Sequence, residues 1–162
     1  MRDTARGNWN VLSFLLLFAA VGTVVPASHP TKAVSACSAV RAGDLERALG
    51  RHFTRGNEEV RGTDSTCDYG AGNGQVSVNL QRLQAPLDMD AEIASLRKEI
   101  EGSSVRMAPE FGGFYLDIEG AGTQLHIIRG RDYVMVSILG FGEAAQVSSA
   151  ARQLAKIAVG RI

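Results

Sequence analysis

Apolar and polar positions alternate in two neighbouring stretches of the chain, residues 65–69 and 75–81. A period of two residues is typical of half-buried strands, in which successive side chains point to opposite faces of a sheet. The glycine-rich segment 70–74 lies between the two stretches and indicates a tight turn. Together they predict a β-hairpin.

Three further strands are predicted in the second half of the chain, at residues 114–119, 123–129 and 133–141. Short segments containing glycine separate them, which indicates antiparallel neighbours. The last stretch, YVMVSILGF, is apolar on both faces. Such a pattern is typical of a central strand covered on both sides.

Three segments have the spacing of amphipathic helices. Residues 44–49 predict a short helix ending at Gly50, and residues 89–100 carry apolar side chains at i, i+4, i+7 and i+11 after the capping residue Asp88. A third helix is predicted at residues 143–159. The remaining segments, 51–62 and 102–109, show no period and are interpreted as loops.

These elements predict an α+β domain with an antiparallel sheet of about five strands and helices packed on it. The predicted order is α-β-β-α-β-β-β-α. This order is similar to that of the PsbP/Mog1 type of α-β-α sandwich, whose members bind proteins. A likeness of fold alone does not establish a function.

The N-terminal segment has the pattern of an export signal. Arg2 and Arg6 precede fifteen uncharged residues, 11–25, a length that suits a signal-peptide core and is short for a membrane span. Small residues before Ser28 favour cleavage at that point. The predicted organisation is therefore a signal peptide at 1–27, a linker at 28–36 and one domain at 37–162.

Other interpretations of this segment stay open at the sequence level. Cleavage could follow Ala33 or Ala36 instead, and residues 9–25 could form an uncleaved anchor. Val34-Ser35-Ala36-Cys37 also resembles a lipobox, in which the cysteine is lipidated, although eleven residues (26–36) separate Cys37 from the apolar core. Each interpretation predicts an extracytoplasmic domain.

Cys37 and Cys67 are the only cysteines of the chain. An even number of cysteines in an exported protein favours a disulfide, and two cysteines allow one pairing. The closed loop would be worth roughly 3–4 kcal/mol in the chain-entropy model. A redox or metal role would need a close pair or a flanking histidine cluster, and neither is present.

The charge balance argues against two classes of partner. Seventeen basic and seventeen acidic residues cancel, so that no long-range field favours nucleic acid or an anionic membrane surface. Aromatic residues make up 6% of the chain and do not alternate with basic residues. No nucleic-acid partner is therefore expected. No metal is expected, because the chain has no H-E-x-x-H motif and no acidic loop of the calcium type. No cofactor is expected, because the glycine-rich segment 70–74 fits neither G-x-G-x-x-G nor a P-loop.

A catalytic site would have to use one of two histidines, His52 or His126, because His29 lies in the predicted linker. His52 lies between arginines in a charged segment, which is typical of a solvated side chain. His126 lies within a predicted strand. No nucleophile motif accompanies either histidine, so a small secreted hydrolase is the alternative and no catalytic residue is assigned.

Two surfaces are candidates for binding. The first is the polar face of the second strand, with Gln75, Ser77, Asn79 and Gln81. The second is a groove that the pair Gly112-Gly113 could shape beside three aromatic residues, Phe111, Phe114 and Tyr115. The alternative is that this glycine pair has only a structural role, as a bend at the start of a strand.

Several of these motifs together carry a resemblance to a family. Cys37-Ser38-Ala39-Val40, the helix end Ala48-Leu49-Gly50 and the strand Cys67-Asp68-Tyr69 are similar to small exported bacterial domains of unknown function. Many of those are lipoproteins that open with Cys-Ser-Leu-Leu and end with an alanine-rich helix. The resemblance covers residues 37–160 and implies that the two cysteines pair, but it implies no active site. This chain has Ala39-Val40 in place of the leucines, and Phe111-Gly112-Gly113-Phe114 where such domains often carry Gly-x-Gly-x-Ala-Tyr.

The sequence thus predicts an exported, non-catalytic binding or accessory domain in the periplasm or at the cell surface. Its partner would be a protein or a small ligand that the sequence does not identify. Contact with a membrane would occur only through an uncleaved leader or a lipidated Cys37. A membrane-tethered structural protein is a further alternative.

Overall fold

The computed structural model describes residues 34–162, which form one seven-stranded sheet with four α-helices. All strand pairs are antiparallel, and the strand order is β1-β2-β3-β7-β6-β5-β4. The strands are β1 (Asn57–Arg61), β2 (Asp64–Ala71), β3 (Gly74–Arg82), β4 (Ser103–Ala108), β5 (Gly113–Ile118), β6 (Gly122–Arg129) and β7 (Asp132–Leu139).

The helices are α1 (Ala36–Ala39), α2 (Ala42–Leu49), α3 (Met89–Glu99) and α4 (Ala144–Val159), and a 3₁₀ turn spans Pro109–Phe111. Local sequence sets their ends. Asp88 accepts hydrogen bonds from the first backbone N–H groups of α3. Gly50 ends α2 in the left-handed conformation.

The sheet consists of two meanders that meet at its centre. Strands β1 to β3 form the first meander and β4 to β7 the second, and the chain crosses between them through α3. The meanders join where β3 pairs with β7, with Val78 opposite Val136. Both residues are fully buried, so the joint lies in the core.

Helices α1, α2 and α4 cover one face of the sheet. Helix α4 packs on β6 and β7, α1 packs on β2 and β3, and α2 packs on α4. The alternating apolar residues of the central strands point into this layer and form the core with the small side chains of α4. The buried carboxylate of Asp44 joins α2 to the segment after α4, because it accepts a hydrogen bond from Arg161 Nη1 at 2.6 Å.

The hairpin of β2 and β3 and the predicted β5, β6 and β7 are present, but the number of strands and the order of elements predicted from the sequence are wrong. The sheet has seven strands and not about five. The added strands, β1 and β4, lie in segments interpreted as loops. The likeness to the PsbP/Mog1 type rested on the predicted order and falls with it.

The two missed strands lie at the edges of the sheet. Every residue of β1 is exposed, and β4 buries only Ala108. A strand without a buried face has no need of alternating apolar residues, so its sequence resembles that of a loop. Helix α1 was missed for a related reason, since its four residues are too few to show a period.

The predicted disulfide is confirmed: Cys37 and Cys67 are bonded, with their Cα atoms 5.1 Å apart. It links α1 to β2. The predicted signal peptide, most of the linker and the alternative anchor fall in residues 1–33, outside the described part of the chain. Among residues 34–162, no helix has the length and hydropathy of a membrane span.

Candidate functional site

A groove with a volume of about 700 Å³ lies between the 3₁₀ turn, the end of β6 and the C-terminal half of α4. Its apolar wall is formed by Phe111 and Val159, and the backbone of Ile128 borders it. Its charged rim carries three basic residues and one acidic residue, which are Arg129, Arg152, Lys156 and Glu110. Its volume lies within the range of about 300–1,000 Å³ that is usual for small-ligand sites.

The glycine pair Gly112-Gly113, which the sequence predicts to shape a groove, allows the backbone conformation at the edge of this groove. Gly112 ends the 3₁₀ turn with a φ of 66°, a conformation that favours glycine. A side chain at Gly113 would have its Cβ 1.9 Å from the carbonyl oxygen of His126. The chain can therefore leave the turn and pair at once with β6, which brings Gly112 close to the Ile128 carbonyl oxygen.

The charges of the groove come from three separate elements. Arg152 and Lys156 lie four residues apart on α4 and so share one face of the helix. Arg129 is the last residue of β6. Glu110 of the 3₁₀ turn forms an ion pair with Arg152, with 2.9 Å between its Oε1 and Arg152 Nη2.

Arg129 and Lys156 form no ion pair with any residue of the described range 34–162. With one acid against three bases, the groove carries a formal charge of about +2, although the net charge of the whole chain is zero. The C-terminal end of α4 contributes a partial negative charge of about −0.5. The local excess of positive charge outweighs it, and the groove favours an anion.

The predicted polar row on β3 lies on the sheet face turned away from α1, α2 and α4. Its side chains hydrogen-bond mainly to the neighbouring strand β2. Asn79 Nδ2 donates to Thr66 Oγ1 at 2.7 Å, and Ser77 donates to the carboxylate of Asp68. Longer contacts join Gln75 to Asp68 and Gln81 to Asp64, at 3.3 and 3.4 Å. Each of the four side chains thus already makes one contact within the sheet.

The three predicted aromatic residues are not together. Phe111 lines the groove. Tyr115 is buried on the helix-covered face beneath the guanidinium of Arg106, which lies 4.0 Å from its ring. Phe114 is fully buried on the opposite face and stacks on His126, with 4.6 Å between ring centroids.

Of the seven side chains predicted for binding, only Phe111 lines the groove. The basic residues that define the groove were missed. The spacing of Arg152 and Lys156 on one helix face is visible in the sequence and could have indicated a basic patch. The approach of Arg129 depends on how β6 packs beside α4, which no local pattern encodes.

The two histidines considered for catalysis lie apart from the groove and from each other. His126 is 1% exposed, and its Nδ1 lies 2.6 Å from the hydroxyl oxygen of Tyr133. Burial lowers the pKa of His126 to about 4 and raises the pKa of Tyr133. His52 is largely exposed, with its Nδ1 2.6 Å from Glu46 Oε1.

A second depression of about 600 Å³ lies beside the disulfide, between α1 and β1. The carboxylate of Glu58 in its wall accepts hydrogen bonds from Ser65 Oγ at 2.9 Å and from the Cys37 N–H at 3.4 Å. Hydrogen bonding, first from the Ser35 hydroxyl, holds the pKa of Glu58 below its ordinary value. Glu58 thus anchors α1 to the sheet. Within the described residues, no group of three or more His, Cys, Asp or Glu side chains could hold a metal ion.

The chain matches no protein-family model, no curated protein and no solved structure at significant similarity. The resemblance to small exported bacterial domains therefore stays a prediction.

Proposed function

We propose that this protein is an exported bacterial binding domain and that its ligand occupies the groove between the 3₁₀ turn and α4. The observation that carries the proposal is the combination of an apolar wall with three basic side chains around one opening. Concave sites of this size that combine apolar walls with a few placed polar groups are the usual form of ligand sites.

The disulfide supports an extracytoplasmic location. Disulfides persist in oxidising compartments and are rare in the cytosol, and the bond between Cys37 and Cys67 lies in the core with Cys67 fully buried. The signal-like segment before residue 28 favours the same location. The periplasm and the cell surface are the compartments we propose.

A binding role is preferred to catalysis because of where the histidines lie. A general base has to reach the proton that it removes. His126 is enclosed between Phe114 and Tyr133, and neither histidine lines the groove. The structure thus offers the ligand a place to bind without a histidine base beside it.

The test is to map binding on the oxidised protein with a panel of small molecules of mixed charge and apolarity. Backbone amide shifts in nuclear magnetic resonance spectra should change around Phe111, Ile128 and Val159. The substitution Val159→Phe, which fills the groove, should weaken binding at least tenfold. The matched substitution Val60→Phe, at an exposed position of β1, should leave it unchanged.

Ligands whose shifts map to the polar row of β3, or whose affinity is the same in both variants, would overturn the placement of the site. Turnover of a panel compound that disappears on His126→Gln would instead support the hydrolase alternative.

A further inference from the structure

We infer that the groove binds an anionic amphiphile, an oxyanion head group carrying an aliphatic chain, and that Glu110 competes with the head group for Arg152. This inference rests on the proposed function and specifies its ligand. The head group can be a carboxylate or a phosphate, since both present oxygens to the same basic side chains.

The head group is assigned by the arrangement of charge. Arg152 already binds a carboxylate, that of Glu110, and so shows that an oxyanion fits beside its guanidinium. Arg129 and Lys156 line the same opening with no ion pair inside the described range. An anion entering the groove therefore meets two cations whose charge the described residues leave uncompensated, and a third that the partly exposed side chain of Glu110 neutralises.

The aliphatic chain is assigned by the wall. Phe111 of the turn and Val159 of α4 are half-buried and both pack against the core. These two side chains offer no hydrogen-bond donor or acceptor, so an apolar group is the moiety that gains by covering them. A volume of about 700 Å³ lies within the range of sites that hold small ligands, about 300–1,000 Å³.

The position of Glu110 predicts that its substitution by glutamine strengthens anion binding. Its pair with Arg152 is about half exposed on the arginine side, at 52%, and 36% exposed on the acid side. An exposed pair of this kind contributes little to stability, so its loss should leave the fold intact. Glu110→Gln removes the competing charge and should tighten binding of an anion about threefold or more.

The experiment is a calorimetric or spectroscopic titration of the oxidised full-length protein with matched probes. Octanoate and octyl phosphate carry the anion and the chain, octylamine reverses the charge, octanol removes it, and acetate lacks the chain. The first two should bind in the groove, and octylamine and acetate should bind at least tenfold more weakly. The affinity of octanoate should fall with added salt, as expected for an exposed charge interaction.

Substitutions then separate charge from structure. Lys156→Gln and Arg152→Gln should each weaken octanoate binding about fivefold. The matched control Lys98→Gln, at an exposed position of α3, should have no effect. Lengthening the chain from hexanoate to octanoate should tighten binding about tenfold, since each buried methylene contributes about three- to fourfold.

The outcomes distinguish this inference from the proposal on which it rests. If octanol or octylamine bind in the groove as well as octanoate, or if Glu110→Gln weakens octanoate, the anionic ligand is wrong while the groove remains the site. If octanoate binds and its shifts map elsewhere, both are wrong. If no probe shifts the groove amides, the inference that the groove binds an anionic amphiphile is wrong. A preference between octanoate and octyl phosphate identifies the head group.

Discussion

His126 shows at the scale of one residue how burial changes a side chain. The imidazole stacks on Phe114 and contacts the Tyr133 hydroxyl in a region that water does not reach. Burial penalises the charged form, so the pKa of His126 falls to about 4. The folded protein therefore holds this histidine neutral at physiological pH.

A dependence of stability on pH follows from this shift. The unfolded chain binds a proton at His126 below about pH 6.5, whereas the folded chain binds it only near pH 4. The free energy of unfolding therefore has its full value above about pH 6.5, and it falls as the pH drops from there towards about 4. Between pH 7.5 and pH 5 the loss should be about 2 kcal/mol, measured by denaturant unfolding.

The variant His126→Gln should lose most of this dependence between pH 5 and 7.5, where few carboxylates titrate. The control His52→Gln, at an exposed position, should keep it. Equal stability of the unmodified protein at pH 5 and pH 7.5 would contradict the assignment.

Gly113 illustrates a position where the backbone requires glycine. A Cβ there would lie 1.9 Å from the His126 carbonyl oxygen, closer than any real contact. Gly113→Ala should therefore lower the free energy of unfolding by about 2 kcal/mol or more. At Gly43 in α2 a Cβ would meet no atom within 4 Å, so Gly43→Ala should stabilise the protein by about 0.5–1 kcal/mol. Urea unfolding of both variants tests the contrast, and a Gly113→Ala protein as stable as the unmodified one would refute it.

At the scale of elements, the disulfide fixes α1 to the sheet. The bond spans a sequence separation of 30 residues. Nearby, the Tyr69 hydroxyl donates a hydrogen bond to the Val40 carbonyl, and burial raises the pKa of Tyr69 to about 12. The hydroxyl thus stays protonated and able to donate at physiological pH.

Replacing both Cys37 and Cys67 by alanine should lower the free energy of unfolding by about 3–4 kcal/mol, because the unfolded chain regains the entropy of the open loop. Reduction of the unmodified protein should have a similar effect. The substitution Ser38→Ala, at an exposed neighbouring position, should change stability little. A double variant with an unchanged denaturation midpoint would show that the bond does not constrain the unfolded chain.

Helices α3 and α4 differ in how they are held. Helix α4 buries six side chains against the sheet, whereas α3 buries none completely and packs against the edge strand β4. Local opening is easiest where few apolar contacts are lost. The amides of α3 should therefore exchange with deuterium at least tenfold faster than those in the middle of α4, and equal protection would be evidence against this difference.

The same contrast explains which elements the sequence could predict. The alternation in β2 and β3 predicted their hairpin, because one face of each is buried. Strand β1 reads Asn-Glu-Glu-Val-Arg, with every side chain exposed, and it exists because its backbone pairs with β2. Because backbone pairing needs no side-chain pattern, a hydrophobic period does not predict an exposed edge strand.

At the scale of the whole molecule, export and the disulfide are linked. A Cys37 sulfur bonded to Cys67 cannot also carry a thioether-linked lipid, so the lipobox interpretation and the disulfide exclude each other. In an exporting bacterial host, the recovered protein should have the mass of a chain starting at Ser28. Two thiols should become available for alkylation only after reduction.

Intact mass before and after reduction and alkylation measures both features. A chain starting at Cys37 with added acyl mass would overturn the disulfide and place the protein at the membrane. A full-length chain would favour the anchor at residues 9–25.

The sequence by itself determined the strands and helices with a clear apolar period, the C-terminal end of α2, the N-terminal cap of α3, and the single cysteine pairing that an even count allowed. Each depends on neighbours in the chain: a period of two or 3.6 residues, a capping residue, or a count. The tertiary structure decided that β3 pairs with β7, that two edge strands complete the sheet, and that Arg129 lies beside Arg152 and Lys156. The physical reason is that a local pattern fixes which face of an element is buried, whereas the packing of distant elements fixes which exposed side chains become neighbours. The groove is formed by such exposed side chains, and so it became visible only in the folded chain.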